Sequence, residues 1–165
     1  MDDLMGPPRT TKSEFVEEIV GRLARRHSTA VVLFHHALAE RLGLGPTDHK
    51  CLDVVRERGP ITGSELGAIT GLTSGAITGV VARLECAGFL RREPDPTDGR
   101  KQMLSVAKHV SPIQDAIEPL RRDVADLLER FDRQQLAAIA EFLAGTSDLL
   151  YRHGVLLRAE ALTNR

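Results

Sequence analysis

TGSELGAITGLTSGAITGVVARLECA, Thr62 to Ala87, is the stretch whose reading decides the fold. Thr62-x-x-Glu65 has the capping-box form, in which the threonine oxygen and the glutamate side chain satisfy orphan N–H groups at a helix start. The spacing predicts two short helices, over about 62–69 and 73–87, separated only by Thr70, Gly71 and Leu72. A helix pair joined by a short glycine-containing turn has the size of a helix-turn-helix unit. The second helix divides cleanly. Ile77, Val80, Val81 and Leu84 recur at helical spacing and form the buried side, which leaves Ser74, Gly75, Thr78, Gly79 and Arg83 outward. A helix read into the major groove of DNA needs that division, with apolar residues holding it to its domain and short polar groups and an arginine reaching bases and phosphates. Its start, Thr73-Ser74-Gly75-Ala76, is small enough for close approach.

Immediately downstream the pattern turns extended. Phe89-Leu90-Arg91-Arg92 and Gln102-Met103-Leu104-Ser105-Val106 flank the turn-rich Pro94-Asp95-Pro96-Thr97-Asp98-Gly99, which predicts a hairpin with a long charged tip. Arg91, Arg92, Arg100 and Lys101 gather positive charge on it, and Asp98 is expected to orient an arginine through a bidentate pair. An arginine at such a tip suits a narrow minor groove, where negative potential concentrates.

Helical patterning resumes on both sides. Upstream, Thr11-x-x-Glu14 is a second capping box, and apolar residues from Phe15 onward predict one long helix to about Arg41, with a basic interruption at Arg25-Arg26-His27. A further helix is expected from about Thr47 to Arg58, between Gly43-Leu44-Gly45-Pro46 and Gly59-Pro60. Downstream, Ser111-Pro112 and Asp132-x-x-Gln135 open two more helices, the first expected to bend at Pro119. Ile113, Leu120, Val124, Leu127 and Phe131, then Leu136, Ile139, Leu143 and Leu150, make apolar stripes that a monomer would leave exposed, so a dimer is expected. The fold class is mainly α with a small β-hairpin wing (α+β): a flexible tail over 1–12, an N-terminal dimerisation helix over 13–41, a winged helix-turn-helix lobe over 42–108, and C-terminal dimerisation helices over 109–165.

Composition limits the alternatives. In 165 residues, 42% are hydrophobic and 27% charged, typical of a folded globular chain and not of a disordered one. Lys and Arg total 22 against 23 Asp and Glu, so a DNA contact must come from local clusters, since non-specific phosphate binders usually have a pI above about 9. Cys51 and Cys86 have no CxxC spacing and read as small core residues. No histidine pair has ligand spacing, and no metal or cofactor is expected. The acidic, proline-bearing N-terminus does not look like a signal peptide, and no run reaches a membrane span, so a cytoplasmic location without membrane contact is expected. Nor is there a phosphate loop, nucleophile elbow or catalytic carboxylate pair, which argues against an enzyme.

The run LTSGAITGVVARLECAGFLRREPDPTDGRK, Leu72 to Lys101, resembles the recognition helix and wing of the MarR family of transcription regulators. The resemblance implies a homodimer reading a pseudo-palindromic operator in double-stranded DNA, usually to block transcription, with Arg100 in the minor groove and Asp98 as its partner. The implied DNA-binding residues are Thr73, Ser74, Gly75, Ala76, Thr78, Gly79, Arg83, Arg91, Arg92, Asp98, Arg100 and Lys101. Gly79 departs from the pattern, for the family often carries a basic or bulkier polar residue there, and one DNA contact is lost. The resemblance also implies a small aromatic or amphipathic effector bound between the lobes, near His35 and His36. These adjacent histidines point about 100° apart on a helix, one inward and one outward. The competing expectation is a winged-helix protein-interaction module that does not bind DNA.

Overall fold

The structure, a computed structural model, describes residues 11–107 and 111–163. Most of the expected tail, residues 1–10, and His109 lie outside the described residues. The chain divides into two compact units, one ending at Pro46 and one beginning at Thr47.

The first unit is helical from Lys12 to Arg41. α1 (Lys12–Glu18) starts on the Thr11 capping box, with the Glu14 N–H donating to Thr11 Oγ1 at 3.2 Å and the Thr11 N–H donating to Glu14 Oε2 at 2.9 Å. It passes through one π-helical turn, Ile19–Leu23, into α2 (Ala24–Arg41). The expected single long helix is thus present, with a widened turn just ahead of the basic interruption. There the Ala24 N–H reaches back to the Ile19 carbonyl. One inserted residue rotates the apolar stripe by about 100°, which a regular helical period does not anticipate. His35 is half-buried, its ring edge-on to Phe34 with centroids 5.5 Å apart, and His36 is exposed.

All of α3 (Pro46–Arg58) but its first residue belongs to the second unit, and its Cys51, Leu52 and Val55 are buried. Next comes β1 (Ile61–Thr62), a two-residue strand too short to carry a periodic signal, then α4 (Gly63–Thr70) and α5 (Ser74–Cys86). The chain turns by 112° between α4 and α5, within the range of helix-turn-helix units. Gly71 makes that turn possible. It caps α4 in the left-handed conformation at φ 77°, its N–H bonded to the Gly67 carbonyl at 2.8 Å, a backbone state with little cost only for glycine.

β2 (Leu90–Pro94) and β3 (Gln102–Val106) form the hairpin, and the antiparallel sheet runs in the order β1-β3-β2. Leu104 faces Ile61 on one side and Arg92 on the other in the register. The pairing of β1 ties the entry of α4 to the wing. Leu66, Ile77, Val80, Val81, Leu84, Phe89, Leu90 and Leu104 are buried, so the expected inner side of α5 is the observed one.

α6 (Ser111–Leu128) runs on through Pro119, and α7 (Arg133–Thr163) starts on the expected Asp132 box, with both reciprocal bonds at 2.9 Å. Leu120, Val124, Leu127 and Phe131, and along α7 Leu143, Leu150 and Leu157, are exposed. No single helix among the described residues is long and apolar enough to cross a membrane.

The cysteines separate. Cys51 is buried as expected, but Cys86, at the end of α5, is exposed and is not a core residue. Its position is about 180° from Ile77 around the helix, opposite the apolar side. Burial pushes the Cys51 thiol up to about 11, with the Asp48 charge adding to the rise and Arg83 opposing it. The unfolded thiol, near 9.0, therefore loses its proton first. The stability that the neutral buried thiol contributes is whole below pH 9 and is lost as pH rises from there towards 11. A thiol reagent at pH 8 should label one cysteine of the native protein quickly, Cys86, and the second only on unfolding. Fast labelling of both would contradict this burial.

Candidate nucleic-acid interface

α5 presents its outer side between the wing cations on one flank and Arg83 on the other. Thr73 caps the helix by accepting the Ala76 N–H at 3.3 Å, and Thr78 Oγ1 donates to the Ser74 carbonyl at 2.9 Å. Both hydroxyls are thus held in place at the first turns, and Thr78 keeps its lone pairs free to accept. Ser74, Gly75, Ala76 and Thr78 are exposed. A side chain added at Gly75 would meet nothing within 4 Å, so a ligand can approach the backbone there closely.

On the wing side lies a groove of about 1020 Å³, bounded by α4, α5 and the hairpin and lined in part by Ser74, Thr78, Arg92, Arg100 and Lys101. Arg92 is braced by Glu85 of α5, Nε to Oε2 at 2.8 Å. Arg100 at the tip is 93% exposed in its side chain. Arg91, the neighbour of Arg92 in the strand, is half-buried, pairs with Glu93 and does not line the groove. Alternation along a strand sends the two arginines to opposite faces. The expected basic cluster is therefore Arg92, Arg100 and Lys101, with Arg91 turned away from it.

The loop tip is organised differently from expectation. Asp98 makes no bidentate pair. Its Oδ1 alone accepts from Arg100, from the backbone N–H at 3.2 Å and from Nε at 3.3 Å. The organising carboxylate is Asp95, which accepts from the Thr97 N–H at 2.7 Å, the Thr97 hydroxyl at 2.6 Å and the Asp98 N–H at 3.1 Å. The bonds from Thr97 hold its carboxyl below the usual carboxylate range. An aspartate that accepts the backbone N–H two residues on makes an Asx turn, and Asp95 set between Pro94 and Pro96 was the available signal.

The bidentate pair lies elsewhere. Arg83 of α5 gives Nε to Asp48 Oδ2 and Nη2 to Asp48 Oδ1, both at 2.7 Å, and the bonds to Asp48 raise the Arg83 pKa. No sequence pattern joins two residues 35 apart. Nor does any announce Arg158 of α7, which lines the groove and donates from Nη2 to the Ile69 carbonyl at 3.1 Å. A cation at that point meets the negative end of α4.

The MarR family pattern matches residues 44–101, a span that holds α3, α4, α5, β2 and the wing tip and stops just before β3. The chain is 39% identical over 146 residues to YcgE of Bacillus subtilis (strain 168), an HTH-type transcriptional regulator, covering 86% of this chain and 92% of that protein. Among solved structures, a MarR family protein from Bacillus stearothermophilus superposes with a TM-score of 0.62 at 21% identity, covering 86% of this chain and 99% of its own. Tm0710 from Thermotoga maritima, a transcriptional regulator, gives 0.58 at 23% identity over 82% of this chain and 96% of its own. These two likenesses establish the winged-helix fold.

Proposed function

This chain belongs to the MarR family of transcription regulators, which are not enzymes, and from that premise we propose that it is a homodimeric repressor that binds double-stranded operator DNA. The observation that carries the reading is the outer side of α5, small and polar at its start and flanked by cations on both sides. In this reading α5 enters the major groove, with Thr73, Ser74, Gly75, Ala76, Thr78 and Gly79 nearest the base edges. Arg83, Arg92 and Lys101 meet phosphates, and Arg100 reaches the minor groove beside Asp98. Arg91 takes at most a backbone contact from the rear face of the hairpin.

Residues 42–108 serve as the DNA-reading lobe, and 13–41 with 109–165 as the dimerisation helices. The exposed Leu120-Val124-Leu127-Phe131 stripe supports a second copy as their partner. Two lobes then read half-sites roughly 34 Å apart, the spacing of one DNA turn. For a small aromatic or amphipathic effector near His35 and His36, the support is the family resemblance together with the inward setting of His35. A coupling of about 1–3 kcal/mol between effector and DNA would shift occupancy roughly 5- to 150-fold.

The test is binding to a fragment from upstream of the protein's own gene at rising salt, alongside the mass of the protein in solution. A dimer with steeply salt-dependent binding is expected. A dimer with no shift at low salt would instead leave a winged-helix protein-interaction module.

A further inference from the structure

Gly79, Arg83 and Asp48 form one device. Arg83 follows Gly79 by one helical turn, and a Cβ at position 79 would lie 3.3 Å from Arg83 Nη1. Without that Cβ, the guanidinium lies back along α5 towards α3, where Asp48 grips it by two of its nitrogens. The two ends of the pair differ in setting. The Asp48 side chain is 7% exposed and the Arg83 side chain 60%, so the carboxylate is a fixed, buried anchor and the guanidinium remains at the surface. Nε and one proton of Nη2 are used on Asp48, which leaves Nη1 and the second Nη2 proton to bind an anion.

The direction of that free edge matters. Arg83 and Glu85 are two residues apart, which places them about 160° apart around the helix. Glu85 braces Arg92 on the wing side, so Arg83 flanks α5 on the opposite side. A helix lying in a major groove has a phosphate backbone on each side of it. The wing cations meet one of these backbones, and the other needs a cation of its own.

We propose that Arg83, anchored by Asp48 in the space left by Gly79, clamps a phosphate of the DNA strand opposite to the one met by the wing, with Asp48 as its positioning residue. The proposal rests on the DNA-binding reading above and gives Gly79 a purpose. A larger residue at 79 would gain a contact of its own at the expense of the clamp.

Charge alone makes the opposite prediction, and this makes the idea testable. Asp48→Asn adds one positive charge to each lobe, so if Asp48 merely neutralised Arg83, binding to DNA would tighten. If Asp48 positions Arg83, binding weakens, by about 3- to 10-fold, despite the gain in charge. Arg83→Ala should weaken binding about equally for all sequences and lower the salt slope by about 1 per lobe. Asp48→Asn should add nothing on the Arg83→Ala background.

Since Asp48 is buried, Gly79→Ala provides a second variant that keeps a good helix former in α5. It should weaken binding about 2- to 5-fold alone and by less than that on the Arg83→Ala background. The full-length chain and a DNA fragment selected by it are the materials, with thermal unfolding of each variant measured alongside. Folded Asp48→Asn protein that binds as tightly as the parent, or tighter, overturns the clamp. Should Asp48→Asn fail to fold, parent-like binding by Gly79→Ala overturns it. If the parent itself binds no DNA, the broader reading has failed, not only this part of it.

Discussion

Replacing Arg100 and Lys101 together by alanine lowers DNA affinity by about 100-fold or more near physiological salt, with little change in melting temperature. Each phosphate contact contributes about 0.9 to the slope of log affinity against log salt. With Lys101 on phosphate in both lobes, the slope falls by about 2. The affinity loss combines that change of slope with removal of Arg100 from the minor groove of each half-site. Stability is spared because the Arg100 side chain is 93% exposed and its ion pair to Asp98 is long at 3.3 Å. Exposed substitutions of this kind usually stay within about 0.5 kcal/mol. Fluorescence anisotropy with labelled DNA at four or five salt concentrations reads both quantities. An unchanged slope would remove the wing tip from the interface.

The second large effect is on folding. Leu84 is fully buried on the inner side of α5, so Leu84→Ala removes three carbons from a packed core and leaves a cavity. Such changes cost about 2–5 kcal/mol. For a chain of this size each kcal/mol lowers the melting temperature by about 2–4 °C, so a fall of about 5–20 °C is expected by circular dichroism. Ala82, exposed on the same helix, gives the control, since Ala82→Ser should move the melting point little. A Leu84→Ala protein melting with the parent would mean that α5 is not seated as described.

These two residues illustrate what sequence could and could not disclose. Leu84 was legible because a helix repeats every 3.6 residues, and Ile77, Val80, Val81 and Leu84 can share a side only as a helix. The capping boxes at Thr11, Thr62 and Asp132 were legible for a related reason, since both partners lie within four residues. Interactions across long separations carry no such period. Asp48 and Arg83 meet over 35 residues and Arg158 reaches Ile69 over 89, and only the folded chain pairs them. β1 was missed because two residues cannot show alternation. In the wing, the sequence showed a carboxylate-rich turn but not the division of labour within it. Asp98 was expected to orient the arginine by two oxygens, yet it uses one, and Asp95 holds the loop.

The departure at Gly79 changes meaning in the same way. Read as a letter it is a missing contact. In the structure it is the room beside the Arg83 guanidinium. The effect on affinity thus depends on a partner that the helix itself does not contain.

The most direct trial of the account is selection of bound duplexes from a random pool by the purified full-length protein. Two identical half-sites in inverted orientation, centred about 10 base pairs apart and lost when Ser74 and Thr78 are altered, are the predicted result. A pool that remains random through successive rounds at low salt, or a single asymmetric site, would contradict it.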